Sequence, residues 1–322
     1  MSRAISTTTL RLQRLLLQRF FQAGLVAWVV GTLTFILTRA LPGDMAFRIA
    51  AGRYGYEQVD AQAAAAVRAE LGLDQSAIAA YFQWFSDLLS LDLGRSLVSG
   101  ESVVSELYHQ LGHSLDLALM AVLLALVIGV PLGILCGLKP NGWLDRAALV
   151  AAVALRSLPP FVIGLLLILL FAISLGWLPA AGHGSGGHLW LPALTLALGL
   201  AAVSARVSRH SMARVASSPY YAFSRTKGLG ERQTLTRHGL RNVAVPVIAY
   251  LAVQLVYLVE GVVVIESLFA WPGIGHALVH AVVARDVPMI QGTALVMGLL
   301  FVALNTLVDL ITLYLDPRRR LA

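Results

Sequence analysis

Lysine is nearly missing from this sequence: 322 residues hold two, Lys139 and Lys227, preceded by Leu138 and Thr226. A phosphate-cradling P-loop needs Gly-Lys, so that backbone amides and the ammonium converge on phosphate, and the chain has no such pair. Nucleotide hydrolysis at a site of that kind is excluded. Cysteine is scarcer still. The single Cys136 cannot form an intrachain disulfide, and its place inside an apolar run reads as a small core residue. Charge is also sparse, at 13% of residues against 58% hydrophobic, with a mean hydropathy of +0.76. That balance excludes a soluble protein of this length. A catalytic serine finds no support either. In Gly182-His183-Gly184-Ser185-Gly186-Gly187-His188, a nucleophile elbow would need glycine two residues before Ser185, and His183 is there instead. No catalytic residue, metal site or cofactor is expected.

What the chain has is long apolar runs. Six are of the order of the 20 residues that cross a hydrocarbon core of roughly 30 Å: 19–40, 114–138, 147–175, 189–207, 243–268 and 289–315. The first is longer than the apolar region of a signal peptide and ends in Thr-Arg-Ala-Leu-Pro-Gly-Asp with no Ala-x-Ala pattern, so it reads as a retained span. The expected fold is an all-α membrane protein of six transmembrane helices, with an N-terminal arm over 1–18 and the membrane domain over 19–322.

The basic residues orient these spans. Arg3, Arg11, Arg14 and Arg19 precede the first, Lys139 and Arg146 lie between the second and third, and Arg318-Arg319-Arg320 follow the last. Residues 206–241 carry eight Arg or Lys against one acid, Glu231, an excess of seven that equals the net charge of +7. By contrast, 176–188 has no Lys or Arg and 269–288 has only Arg285. Cationic connections stay cytoplasmic, so both termini and the 208–242 segment are placed there. The same logic accounts for the pI near 9.9 without nucleic acid. The long outer loop, 41–113, suggests helices over 61–70 and 81–89. In the second, Tyr81, Trp84, Phe85, Leu88 and Leu89 share one side, which suits a membrane surface or the cap of a bundle.

Ionisable residues in the runs narrow the function. Arg156, Arg206, Glu266 and Asp309 fall near span ends, where snorkelling or pairing is inexpensive. Glu260 sits well inside the fifth run. A carboxylate there must face a watery path, pair with a cation or stay protonated, so it is either a pathway residue favouring cationic groups or a buried structural partner. His276 and His280 stand at i, i+4, which can set two imidazoles on one helix face, yet no third metal ligand is identifiable.

Several motifs then follow in order. Leu41-Pro42-Gly43-Asp44 comes after the first span. Leu71-Gly72-Leu73-Asp74-Gln75 and Leu91-Asp92-Leu93-Gly94-Arg95-Ser96 lie in the outer loop. Leu158-Pro159-Pro160-Phe161 and Leu191-Pro192-Ala193-Leu194-Thr195-Leu196 lie in the third and fourth runs. Glu266-Ser267-Leu268-Phe269-Ala270-Trp271-Pro272-Gly273-Ile274-Gly275 precedes Arg285-Asp286-Val287-Pro288, and Asn305, Asp309 and Asp316-Pro317-Arg318 close the series. Together they resemble the membrane permease subunit of binding-protein-dependent ABC importers, in the dipeptide, oligopeptide and nickel branch. Lys227-Gly228-Leu229, Arg237-His238-Gly239-Leu240-Arg241-Asn242 and Pro246 are similar to that branch's cytoplasmic coupling loop, with Ala222-Phe223-Ser224 where the wider motif has Glu-Ala-Ala.

The resemblance implies a type I importer permease, not itself an enzyme. Its partners would be a homologous second permease, two ATP-binding subunits, an external substrate-binding protein and membrane lipid, in a bacterial inner membrane. It implies alternating access, driven through Tyr221, Phe223, Lys227, Gly228, Leu229 and Arg237; Glu260, from its place inside the fifth run, is the pathway candidate. Short peptides are the implied cargo, with nickel, metal chelates or another small solute as the alternative. A secondary transporter would need inverted repeats and several intramembrane carboxylates, and a membrane scaffold would not need the coupling signature.

Overall fold

The computed structural model describes residues 2–40, 42–55, 57, 59–71, 76–184 and 186–315. Among these the chain is helical without strands, apart from an isolated antiparallel bridge between Arg95 and Ser102. In chain order the helices are α1 (Ser2–Ala40), α2 (Met45–Tyr54), α3 (Ala61–Leu71), α4 (Ala77–Leu89), α5 (Val103–Leu138), α6 (Trp143–Ser157) and α7 (Pro160–Leu167). A π-helical extension (Ile168–Ser174) and a short 3-10 turn (Gly186–Leu189) lead to α8 (Trp190–Ala216), α9 (Pro219–Thr226) and α10 (Glu231–Thr234). A second π-helical turn (Leu235–Gly239) precedes α11 (Leu240–Gly261), α12 (Val263–Leu268), α13 (Ile274–Ala284) and α14 (Val287–Leu315).

Gln13–Ala40, Val103–Leu138, Gly186–Ala216 and Val287–Leu310 are each long and apolar enough to cross a bilayer. Counting two bent pairs, Trp143–Ser157 with Pro160–Ser174 and Glu231–Arg237 with Asn242–Val256, raises the total to six. The third run is therefore not the straight helix its length suggests. It turns by 105° where Pro159 lacks an amide hydrogen and Pro160 opens a new helix at its first residue.

The described chain divides into two compact units. One comprises the residues up to Ser114 with Pro272–Ala303; the other comprises Leu115–Trp271 and the residues from Leu304 onward. In the first, both expected loop helices form as α3 and α4. A further helix, α2, is capped by Asp44, whose carboxylate accepts from the amides of Ala46 (2.9 Å) and Phe47 (3.5 Å). Burial works against the Asp44 charge, but Arg68 at 2.9 Å and these amides outweigh it and hold the carboxyl below its ordinary range. Aromatic α4 docks on α1: Tyr81 stands edge-on to Phe35 at 5.3 Å, and its hydroxyl lies 3.0 Å from that of Thr32.

Three of the sequence motifs meet in this first unit. Arg285 donates to the carbonyl oxygens of Pro42 and Gly43. Asp286, 2% exposed, accepts from the Ser96 hydroxyl and from the amides of Leu97 (3.1 Å), Val98 (3.4 Å) and Met289 (3.3 Å). One carboxylate thus caps α14 and pins the 91–96 turn. Asp286→Ala, which strands these buried donors, is expected to destabilise the unit by about 2 kcal/mol. A lower melting temperature and faster proteolysis around residues 91–103 are the readouts.

In the second unit, α5 presents Gly129, Gly133 and Gly137 at every fourth position to α8. A Cβ at Gly133 would stand 2.6 Å from the Ser208 Cβ and overlap the Ala205 carbonyl; one at Gly137 would stand 2.6 Å from the Met212 Cβ. Ala121 and Ala125, both fully buried, extend the stripe by two turns. Small residues at this spacing let helix backbones approach closely in lipid, where packing drives association in place of the hydrophobic effect.

Candidate functional site

The basic segment begins on a rigid base. Helix α8 runs on to Ala216, well past the expected end of its span, so Arg206 and Arg209 belong to its last turns. They do not face solvent as free cations. Arg209 grips the buried Asp145 through Nε (3.1 and 3.2 Å) and Nη2 (2.8 Å), and Arg206 Nη1 stands 3.7 Å from the same carboxylate. The Asn141 amide adds a fourth donor at 2.9 Å. Asp145 therefore ties the start of α6 to α8, a pairing that sequence spacing cannot show across 64 residues. Charge counting places these arginines in the exposed loop; the tertiary contact removes them from it.

After Ser217 the chain turns into α9, whose sides do different things. Tyr221, 3% exposed, packs into a core with Ile134, Met212, Val215, Val243, Val247 and Leu251. Phe223 is 60% exposed, and Lys227 Nζ stands 4.7 Å above its ring centroid, a cation–π contact. The helix ends at Gly228, which has φ +84°. The Leu229 amide donates to the Ser224 carbonyl at 3.3 Å, and the Lys227 amide to that of Phe223 at 3.1 Å. This is a left-handed glycine cap, a conformation that side chains with a β-carbon resist. Leu229 is half-buried beside it, and Arg237 is exposed on the π-helical turn that leads into α11. Tyr221, Phe223, Lys227, Gly228 and Leu229 thus share one helix-and-turn, while Arg237 stands on the adjoining turn. The side chains of Arg225, His238 and Arg241 lie outside the described residues.

The remaining candidates are dispersed. Glu260 is placed in α11, but its side chain lies outside the described residues. His276 and His280 bring their Nε2 atoms to 3.1 Å on α13, and burial together with the neighbouring His280 holds the His276 imidazole below its ordinary range. Among the described residues no group of three or more His, Cys, Asp or Glu converges. His183 stands edge-on to Trp271 at 5.1 Å. Glu266, assigned to a span end from sequence, is completely buried.

The broken third span and the short glycine-capped α9 belong to a transport permease, as the family shows. Residues 129–321 match the binding-protein-dependent transport system inner membrane component, and residues 12–118 match the N-terminal region of the same membrane components. The chain belongs to this family. The glutathione transport system permease protein GsiC of Escherichia coli O6:H1 is 38% identical over 91% of this chain and 94% of its own length. GsiC of Pectobacterium atrosepticum is 37% identical over the same shares. Among solved structures, the inward-facing MetNI methionine ABC transporter shares the fold with TM-score 0.52 at 18% identity, over 66% of this chain and 97% of its own. An amino acid ABC transporter does so with TM-score 0.51 at 14% identity, over 66% and 94%.

Proposed function

We propose that this chain is the pathway-forming permease of an ATP-driven importer of short peptides in a bacterial inner membrane. It works with a homologous second permease, two ATP-binding subunits and an external substrate-binding protein. The observation that carries this reading is α9: a short helix, anchored at Tyr221, closed by a left-handed Gly228 and presenting Phe223 and Lys227 outward. An aromatic body with a cationic rim is what a cleft in a soluble partner can hold. When nucleotide closes the ATPases, α9 is displaced. Because its base is buried between α5, α8 and α11, the displacement passes into the spans, which alternate between outward-open and inward-open states.

In this scheme both chain ends and residues 208–242 are cytoplasmic, the 41–113 loop is external, and Glu260 lines the route. Peptides are favoured as cargo because the GsiC relatives are permeases for glutathione, itself a tripeptide. Metal chelates come second, on the His276–His280 pair alone. The purified chain reconstituted by itself is expected to be inert, and uptake should require the ATPases, ATP and loaded binding protein together. Ion-gradient-driven uptake by the chain alone would replace this reading with a secondary carrier.

A further inference from the structure

Arg156 closes α6 at the point where the third span breaks and turns. It stands nine residues into the apolar run that begins at Ala147, about 14 Å along the helix. A guanidinium inside a membrane-spanning run is costly and needs either a partner or water. Among the described residues Arg156 makes no ion pair. It lines a cavity of about 510 Å³ with Pro159, Thr195, Gly199, Gln254 and Leu258, all within the Leu115–Trp271 unit. Non-helical backbone such as Leu158-Pro159 persists at membrane depth where it borders a cavity of this kind.

The surrounding groups have a common chemistry. Gln254 brings an amide, and one turn earlier on α11 the Tyr250 hydroxyl is buried without a hydrogen-bond partner. Tyr250 lies within electrostatic reach of Arg156. The Arg156 guanidinium and the Gln254 amino group are donors at the cavity, and no described acid lines it to neutralise the arginine. A planar carboxylate takes two bonds from the arginine and a third from the Gln254 amino group, whereas an ammonium group is repelled by the guanidinium.

We propose that this cavity is a way-station for the terminal carboxylate of the transported peptide, with Arg156 as the residue that selects it. The proposal rests on the peptide reading above for its ligand, but the site can be tested apart from it. In proteoliposomes holding the complete importer, Arg156→Gln is expected to slow uptake of Ala-Ala by about 10- to 100-fold. Uptake of Ala-Ala amide should be unchanged, and Arg156→Lys should recover part of the loss. An equal fall for acid and amide, or no fall for the acid, overturns the assignment.

A second measurement does not depend on uptake. A diazirine-bearing N-acetyl dipeptide acid should photolabel residues 155–163 and 250–258 of the purified complete importer, while its amide should not. Arg156→Gln should abolish that labelling. Equal labelling by acid and amide, or none by the acid, refutes the carboxylate site. Labelling by the acid in an importer that takes up neither peptide would instead retain the site and remove peptides as cargo.

Discussion

Gly228→Asp is expected to reduce ATP-driven uptake by about 5- to 30-fold while leaving the amount of protein in the membrane unchanged. Residue 228 holds φ +84° with open space around it, so a side chain meets backbone strain rather than a clash. Strain of 1–2 kcal/mol in the left-handed region translates into that range of populations. Asp is among the residues that tolerate this region best, which is why the fold should survive. What does not survive is the shape of the cap that ends α9. The Leu229–Ser224 bond weakens, and a carboxylate arrives beside the Lys227 ammonium that now rests over Phe223. Gly228→Asn separates the two effects, since it has similar backbone tolerance and no charge. Normal uptake by the Asp variant, or unaltered stimulation of the ATPases by loaded binding protein, would remove α9 from the coupling role.

Gly133→Val is expected to act on the fold itself. The new side chain would meet the Ala205 carbonyl and the Ser208 Cβ, and backbone cannot rotate away as a flexible side chain can. The α5–α8 pair must separate, which loosens the Gly129 and Gly137 contacts as well and exposes the Ser204 hydroxyl now set against the Ala125 carbonyl. About 3 kcal/mol of destabilisation follows, at the upper end for an overpacked interface. The measurement is the fraction of chain that remains folded and monodisperse after extraction, and its melting temperature. Because α8 leads into α9, surviving protein should also transport poorly. Gly112→Val, on the same helix where nothing stands within 4 Å, is the matched control and should be nearly silent.

The two substitutions mark different kinds of legibility. Gly228 could be read from sequence because its neighbours, Lys227 and Leu229, form a local pattern whose geometry needs only adjacent residues. The glycine stripe was equally present in the sequence, spaced by four along the second run, but spacing alone does not say which helix it faces. Asp145 gave no signal at all. It reads as an ordinary acid near the start of a helix until α8 brings Arg209 to it. Arg156 shows a related limit: the apolar run is continuous in sequence, and only the break at Pro159-Pro160 sets this arginine beside a cavity.

By itself, the sequence determined that this is a polytopic helical membrane protein and where its conformational punctuation falls. Those properties depend on composition, on period and on neighbours along the chain, all of which are local. Only the tertiary structure decided which charges are neutralised, which glycines are contacts and which span is broken around a cavity. Pairing across 64 residues, or across the 190 that separate Ser96 from Asp286, depends on how helices pack against one another. That packing is set by side-chain shape on surfaces the linear order does not name.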